Sequence, residues 1–117
     1  MVAAPYVPDC GDVIRLNFDP QAGPIQADEA GHRPALVLSP KAYNGRTGLC
    51  LVVPITSQSK GYPFELALPT ACQTRGVALC DQVRSLDWKA RMAALKEKTG
   101  QDFAREVLAR FMPLVEW

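Results

Sequence analysis

Short runs of apolar and alternating residues predict a series of β-strands over the first three quarters of the chain. Within residues 12–18, apolar and polar positions alternate from Ile14 to Phe18, which is the pattern of a half-buried strand. Residues 33–39 and 49–55 are nearly continuous apolar runs, which favours buried strands. Shorter strands are predicted at 62–68, 76–81 and 83–86, the last continuing through a turn towards Met92. We therefore expect five or six short strands.

Prolines and glycines divide these strands. Pro54 lies inside the most apolar run and predicts a bulge or a local break in strand pairing. Asn44-Gly45 and Thr47-Gly48 predict a turn before that run. Residues 20–32 contain two prolines and two glycines, and we expect a mobile loop there, since loops of this length in small domains are usually functional or mobile.

The C-terminal segment changes to helical spacing. Thr99 and Asp102 resemble a capping box, and Pro113 should stop the helix near Met112, so a helix is predicted at about residues 101–112. The apolar positions that define its stripe are Phe103, Val107, Leu108, Phe111, Leu114 and Val115. The predicted fold class is mainly β with a C-terminal helix (α+β). In this fold, a small curled sheet or barrel is covered by the helix in one domain spanning residues 1–117.

The charges are unevenly distributed along a nearly neutral chain. The 117 residues carry a formal net charge of +1, which gives no sign of a polyanion partner. Residues 1–29, however, carry −4 and residues 30–98 carry +6. The basic middle is either a polyanion-binding face or a set of scattered, solvated charges.

Cysteine spacing and the N-terminus bear on cofactors and compartment. The four cysteines contain no Cys-x-x-Cys pair and the chain has one His, so we expect no metal site and no cofactor. No signal-peptide pattern or membrane-length apolar run is present. The sequence predicts a cytoplasmic protein with free thiols and no membrane partner.

Candidate chemistry is concentrated where two predicted strands meet loops. Asp28, Glu29, His32 and Arg33 lie at one junction, and residues 56–60 form the polar end of the apolar run. If the two strands pair, a guanidinium, hydroxyls, carboxylates and an ammonium converge. Such a set suits phosphodiester chemistry without a metal, because Arg binds phosphate oxygens and hydroxyls stabilise the developing charge. Alternatively, Arg33 simply pairs with Glu29 and the hydroxyl residues are turn formers.

Five stretches together resemble the MazF/PemK family of toxin–antitoxin ribonucleases over most of residues 6–91. They are the motifs Tyr6-Val7-Pro8-Asp9-Cys10-Gly11-Asp12, Asn17-Phe18-Asp19-Pro20, Ala30-Gly31-His32-Arg33-Pro34-Ala35-Leu36-Val37-Leu38-Ser39-Pro40, Val53-Pro54-Ile55-Thr56-Ser57-Gln58-Ser59-Lys60-Gly61-Tyr62-Pro63-Phe64-Glu65 and Gly76-Val77-Ala78-Leu79-Cys80-Asp81-Gln82-Val83-Arg84-Ser85. The resemblance implies an SH3-like barrel, shared with the gyrase-poisoning CcdB toxins. It also implies metal-independent cleavage of single-stranded RNA that leaves 2′,3′-cyclic phosphate and 5′-hydroxyl ends.

The resemblance also assigns residues. It implies that Arg33 is the catalytic arginine and that Thr56 binds the scissile phosphate. Asp28, Glu29 and His32 are the candidates for the general base, and they stay open because residues 20–32 form a somewhat longer loop than in close relatives. The expected RNA-binding residues are Ser57, Lys60, Gln82 and Arg84.

Partners follow from the same resemblance. It implies a homodimer and a MazE-like antitoxin whose C-terminal tail occupies the RNA groove. The alternative is a non-enzymatic CcdB-like poison that binds gyrase or another protein, since one fold hosts several functions. Tyr62 and Trp88 either stack RNA bases or belong to the core or interface.

Overall fold

Seven strands and two α-helices form in the part of the chain that this computed structural model describes, residues 5–17 and 32–116. The predicted loop at residues 20–32 lies outside those residues, except that His32 already begins a strand. In chain order the elements are β1 (Asp12–Asn17), β2 (His32–Val37), α1 (Lys41–Thr47), β3 (Leu49–Thr56), β4 (Glu65–Ala67), β5 (Val77–Leu79), β6 (Arg84–Asp87), β7 (Ala94–Lys98), α2 (Gln101–Phe111) and a 3₁₀ turn (Met112–Leu114).

The strands form an antiparallel sheet in the order β4-β5-β3-β2-β1-β7, with β6 also paired to β3. The most apolar strand, β3, contacts three partners and so occupies the centre of the sheet. This arrangement, with α2 at the C-terminal end, confirms the predicted mainly β fold class with a C-terminal helix.

Pro54 lies where β3 changes partners. Leu51 accepts a hydrogen bond at 2.8 Å from Leu38, which leads out of β2. Backbone groups alternate in direction along a strand, so the nitrogen of Pro54 points to the opposite side. On that side β3 is paired with β6 as far as Val52 and with β5 from Ile55 onwards. Pro54 therefore costs no ladder hydrogen bond, and the predicted break in pairing is confirmed.

Each face of the sheet contributes to a buried core cluster. On one face, Leu36 and Val53 pack with Phe103 and Val107 of α2. On the other face, residues of β1, β2, β3 and β6 pack together with Trp88. The members of this second cluster are Ile14, Leu16, Ala35, Val37, Cys50, Val52, Leu86 and Trp88. Residues of β1 and β6, which are not neighbours in the sheet, belong to this one cluster, which fits a sheet that curls on itself.

The prediction of a turn at residues 44–48 was wrong, because the chain forms α1 there. Asn44 is buried and its amide donates to the carbonyls of Pro8 and Ser39 at 2.8 and 3.0 Å. Its side-chain oxygen accepts from the Ser39 hydroxyl at 2.6 Å. The long-range bond to Pro8 and the local bonds to Ser39 favour a helical turn over the preference of Asn-Gly, and Gly48 ends it with φ 77°.

The strand β7 was not predicted. Four of its five residues are exposed, so no apolar periodicity marks it, and it is held instead by pairing with β1 at the edge of the sheet.

The predicted capping box was wrong. The Thr99 hydroxyl donates to the Gly11 carbonyl at 2.8 Å, and Gly100 precedes the helix without a side-chain cap. Gly11 has φ +91°, and a Cβ there would lie 2.4 Å from the Gly100 carbonyl oxygen. Thr99 is therefore bonded to the loop before β1 instead of capping the helix.

Other details of the C-terminal region agree with the sequence. The helix α2 ends at Phe111, two residues before Pro113, and a 3₁₀ turn follows.

None of the helices in the described residues has both the length and the apolar character that a membrane crossing requires. All four cysteines are free thiols.

Candidate functional site

The pairing of β2 with β3 brings Arg33 and Thr56 together. Ala35 lies opposite Pro54 in an antiparallel register. The paired register ends there, and two residues beyond it Arg33 on β2 and Thr56 on β3 both line one cavity. Directly opposite residues of antiparallel strands project from the same face, as do residues two apart on one strand, so the guanidinium and the hydroxyl lie on one surface.

The next two strands extend this surface. Thr56 lies opposite Val77 of β5, and Leu79, two residues on, lies opposite Glu65 of β4. Because side chains two apart on a strand share a face, Thr56, Leu79 and Glu65 belong to the surface that carries Arg33.

A cavity of about 640 Å³ lies over this surface. Its volume is in the range of sites that hold small molecules or a few groups of a larger substrate. The residues that line it are Arg33, Thr56, Gln58, Lys60, Gly61, Tyr62, Pro63, Glu65, Leu79 and Gln82.

One wall of the cavity is formed by Gln58, Lys60 and Gly61, which belong to the rim segment, defined here as residues 57–61, a stretch without regular secondary structure. Glu65 holds this segment with three hydrogen bonds. Its carboxylate accepts from the Ser59 hydroxyl at 2.7 Å, the Lys60 N–H at 2.9 Å and the Gly61 N–H at 3.2 Å. These donors lower the pKa of Glu65, the Ser59 hydroxyl having the largest effect, so the carboxylate is ionised at neutral pH.

Tyr62 connects the rim to the turn after β5. Its hydroxyl donates to Asp81 at 2.7 Å, and this bond is the main reason why the pKa of Tyr62 is raised. The ring packs at a tilt against Phe64, with 5.7 Å between centroids. Asp81 directly precedes Gln82, so the bond joins two walls of the cavity.

Gly76 permits the close approach of β5 to Thr56. It has φ +124°, and a Cβ there would lie 2.1 Å from the Thr56 carbonyl oxygen. Only glycine fits this position without moving the end of β3.

The cavity presents two cations, Arg33 and Lys60, a hydroxyl from Thr56 and amides from Gln58 and Gln82. A guanidinium and an ammonium bind phosphate oxygens, while a hydroxyl and amides donate further hydrogen bonds. The arrangement therefore suits a phosphodiester. In the described residues no group of three or more His, Cys, Asp or Glu side chains is placed to hold a metal ion.

The structure brings together four of the residues singled out in the sequence, Arg33, Thr56, Lys60 and Gln82. The described lining does not include Ser57, which is exposed just after β3, or Arg84, which is exposed on β6 opposite Val52.

The base candidates are described less fully. Asp28 and Glu29 lie outside the described residues, and for His32 only the backbone, at the start of β2, is described.

The two aromatic candidates separate. Trp88 is 5% exposed and its indole N–H donates to the Asn44 carbonyl at 2.9 Å, so it belongs to the core. Tyr62 is 45% exposed and lines the cavity.

Sequence patterns did not single out Gln58 or Glu65. Both lie within the motif from Val53 to Glu65. The available signal was the alternation of β4, which places Glu65 on the face opposite to Leu66, and Leu66 packs against the core.

Comparison with known proteins links this chain to one group. The family model of the PemK-like, MazF-like toxin of type II toxin–antitoxin systems matches residues 9–115. The endoribonuclease toxin MazF of Escherichia coli K12 is 49% identical over 110 residues, covering 94% of this chain and 96% of that protein. The endoribonuclease PemK of Escherichia coli is 34% identical, covering 90% of this chain and 80% of that protein.

Solved structures agree. MazF from Deinococcus radiodurans superposes with a TM-score of 0.83 at 50% identity, covering 95% of this chain and 98% of that one. A MazE–MazF complex from the same organism gives a TM-score of 0.83 at 49% identity, covering 94% and 97%.

Proposed function

Because this chain belongs to the PemK-like, MazF-like toxins of type II toxin–antitoxin systems, we propose that it is an endoribonuclease that cleaves single-stranded RNA in the cavity described above. The observation that carries the proposal is that Arg33, Thr56 and Lys60 line one cavity at the end of the β2–β3 pairing. Cleavage of messenger RNA at selected sequences then inhibits translation and growth.

The proposed reaction uses the nucleophile that RNA itself supplies. The 2′-hydroxyl attacks the adjacent phosphorus and forms a 2′,3′-cyclic phosphate, while the bond from phosphorus to the 5′ oxygen breaks and that oxygen takes up a proton. The protein has to position the phosphate, accept the 2′ proton and stabilise the developing negative charge.

Arg33 and Thr56 are the proposed catalytic residues. The planar guanidinium of Arg33 donates two parallel hydrogen bonds to phosphate oxygens, and the Thr56 hydroxyl donates a further one. Asp28, Glu29 and His32 are the three proposed candidates for the base that takes the 2′ proton, since each precedes Arg33 by five residues or fewer.

RNA on either side of the scissile phosphate contacts the remaining polar residues. Lys60 and Gln82 line the cavity, and we assign them to the flanking phosphates and bases. Ser57 and Arg84 are exposed close by in sequence to the cavity residues, and their proposed contacts lie beyond its edge.

The decisive experiment incubates the purified protein with a single-stranded RNA oligonucleotide in EDTA and identifies the ends by mass spectrometry. Wild type should give cyclic phosphate and 5′-hydroxyl ends, and Arg33→Ala should lose about 10²–10³ in rate. Intact RNA with wild type, or undiminished cleavage by Arg33→Ala, refutes the proposal. Gyrase inhibition with intact RNA would instead support a CcdB-like poison.

The proposed protein partner is a MazE-like antitoxin, which the solved MazE–MazF complexes of the Deinococcus radiodurans relative support. Its C-terminal tail lies in the RNA groove and so blocks the substrate. We expect cleavage to stop at saturating antitoxin, and continued cleavage would contradict this partnership.

We further propose that the toxin acts as a homodimer in the cytoplasm, where messenger RNA is translated. Sedimentation equilibrium should give twice the 12.8 kDa mass of the chain. A monomer mass at concentrations where the RNA is cleaved would contradict the dimer.

A further inference from the structure

Glu65 is an acidic side chain in the wall of a cavity proposed to bind a polyanion. It lies on β4 opposite Leu79 of β5, and it lines the same cavity as Arg33 and Lys60. A carboxylate in this place repels phosphate and so weakens RNA binding, unless another contribution of the same side chain to binding offsets the repulsion.

The carboxylate is occupied by the rim segment. Both of its oxygens accept hydrogen bonds, one from the Ser59 hydroxyl and the Gly61 N–H and the other from the Lys60 N–H. These donors stabilise the charged form of Glu65 and so lower its pKa, the Ser59 hydroxyl having the largest effect. The carboxylate therefore binds the backbone N–H groups of Lys60 and Gly61 and the hydroxyl of Ser59.

The two ends of this contact differ in rigidity. Glu65 belongs to β4, which is paired with β5, whereas residues 57–61 have no strand or helix of their own. Without the carboxylate, the Lys60 and Gly61 N–H groups have no partner in β4, and the four-carbon side chain of Lys60 starts from a backbone free to sample other conformations.

We propose that Glu65 is a positioning residue that fixes the rim segment so that the Lys60 ammonium meets an RNA phosphate at the edge of the cavity. This role rests on the proposed cleavage of RNA. Glu65 does not touch the reacting atoms, and its contribution is to substrate binding rather than to the chemical step.

Kinetics separate this role from the charge of Glu65. Removing a negative charge from the cavity would, by Coulomb attraction alone, lower KM for RNA. The positioning role predicts the opposite, a rise in KM of about two- to fivefold in Glu65→Ala, the value of an exposed charge contact, with kcat changing less. Glu106→Ala on the exposed face of α2 makes the same change in net charge and should leave KM unaltered. A KM at or below the wild-type value overturns the proposal.

A double-mutant cycle identifies Lys60 as the group that is positioned. If Glu65 acts through Lys60, then Lys60→Ala and Glu65→Ala each raise KM and the double variant is no worse than Lys60→Ala alone. Additive effects contradict the proposal, since they mean that the two residues act independently.

Limited trypsin digestion tests the contact without reference to RNA cleavage. Trypsin cuts after Lys60, and the bond from Lys60 to Gly61 lies inside the segment that Glu65 holds. We expect this cut to be faster in Glu65→Ala than in wild type, while cuts after Lys41 and Lys89 keep their rates. Ser59→Ala, which removes one donor only, should accelerate the cut less and serves if Glu65→Ala fails to fold.

The digestion experiment and the kinetic experiment distinguish failure of the positioning role from failure of the proposed function. Unchanged digestion at Lys60 overturns the positioning role whether or not RNA is cleaved. Faster digestion with no cleavage of RNA by wild type refutes the proposed function and, with it, the assignment of Lys60 to a phosphate.

Discussion

The proposed catalytic role of Arg33 depends on the shape of its side chain as well as on its charge. A guanidinium donates two parallel bonds to phosphate, whereas an ammonium is a point charge. We expect Arg33→Lys to keep the positive charge of the cavity yet to lower kcat on RNA by about tenfold or more. Arg46→Lys on the exposed side of α1 is the matched control and should not change the rate. Equal rates for both variants would reduce Arg33 to an electrostatic role.

Gly76 determines how closely β5 can approach Thr56. In Gly76→Ala the new Cβ would meet the Thr56 carbonyl at 2.1 Å with φ at +124°, so strain and backbone displacement both contribute. We expect the free energy of unfolding in urea to fall by about 2–4 kcal/mol. Gly48→Ala, with φ +77° and nothing within 4 Å of the Cβ, should cost only about 1 kcal/mol. Equal losses would mean that the contact with Thr56 does not constrain the fold.

The Glu65 contact with the rim segment should respond to acid. The pKa of Glu65 lies below the ordinary 4.5, first because of the Ser59 hydroxyl and then because of the Lys60 N–H. The contact is therefore complete above the ordinary value and is lost as the pH falls through the lowered pKa. The amide proton shifts of Lys60 and Gly61, followed by NMR, should titrate with a midpoint below 4.5. In Glu65→Gln that titration should vanish, and its survival would assign it to another group.

At the scale of elements, α2 is held by its buried stripe. Val107 is 0% exposed and packs with Leu36 and Val53 of the sheet. Val107→Ala should lower the free energy of unfolding by about 2–3 kcal/mol through lost burial and a residual cavity. Leu114→Ala, which removes more carbon from a side chain that is 49% exposed, should cost less. The reverse order would place the 3₁₀ turn rather than α2 in the core.

The elements also show which sequence signals were sufficient. Strands with a buried face, such as β1 and β3, were predictable because alternation or apolar runs record burial directly. The strand β7 and the helix α1 were not, because the first is mostly exposed and the second depends on Asn44 bonding to Pro8 and Ser39. Long-range hydrogen bonds leave no periodicity in a sequence.

At the scale of the whole molecule, a nearly neutral chain carries a locally cationic cavity. Binding of single-stranded RNA to Arg33 and Lys60 releases counterions, so KM should rise with salt. Lys60→Ala should reduce the slope of log KM against log salt by about 0.7, the value of one phosphate contact on a single strand. Lys96→Ala on the exposed edge strand β7 removes one positive charge, as Lys60→Ala does, and should preserve the slope. An unchanged slope in Lys60→Ala would remove Lys60 from the RNA interface.

The sequence alone determined the strands with a buried face, the C-terminal helix and its end before Pro113, because burial and proline chemistry are written into residue type and spacing. It also carried Arg33, Thr56, Lys60 and Gln82 as candidates through motifs. Only the tertiary structure decided that Glu65 and Gln58 line the same cavity, that Trp88 is core while Tyr62 lines it, and that Ser57 and Arg84 lie outside its described lining. The physical reason is that membership of a cavity depends on strand register and on backbone hydrogen bonds between distant segments, and neither is recorded in the pattern of a single chain.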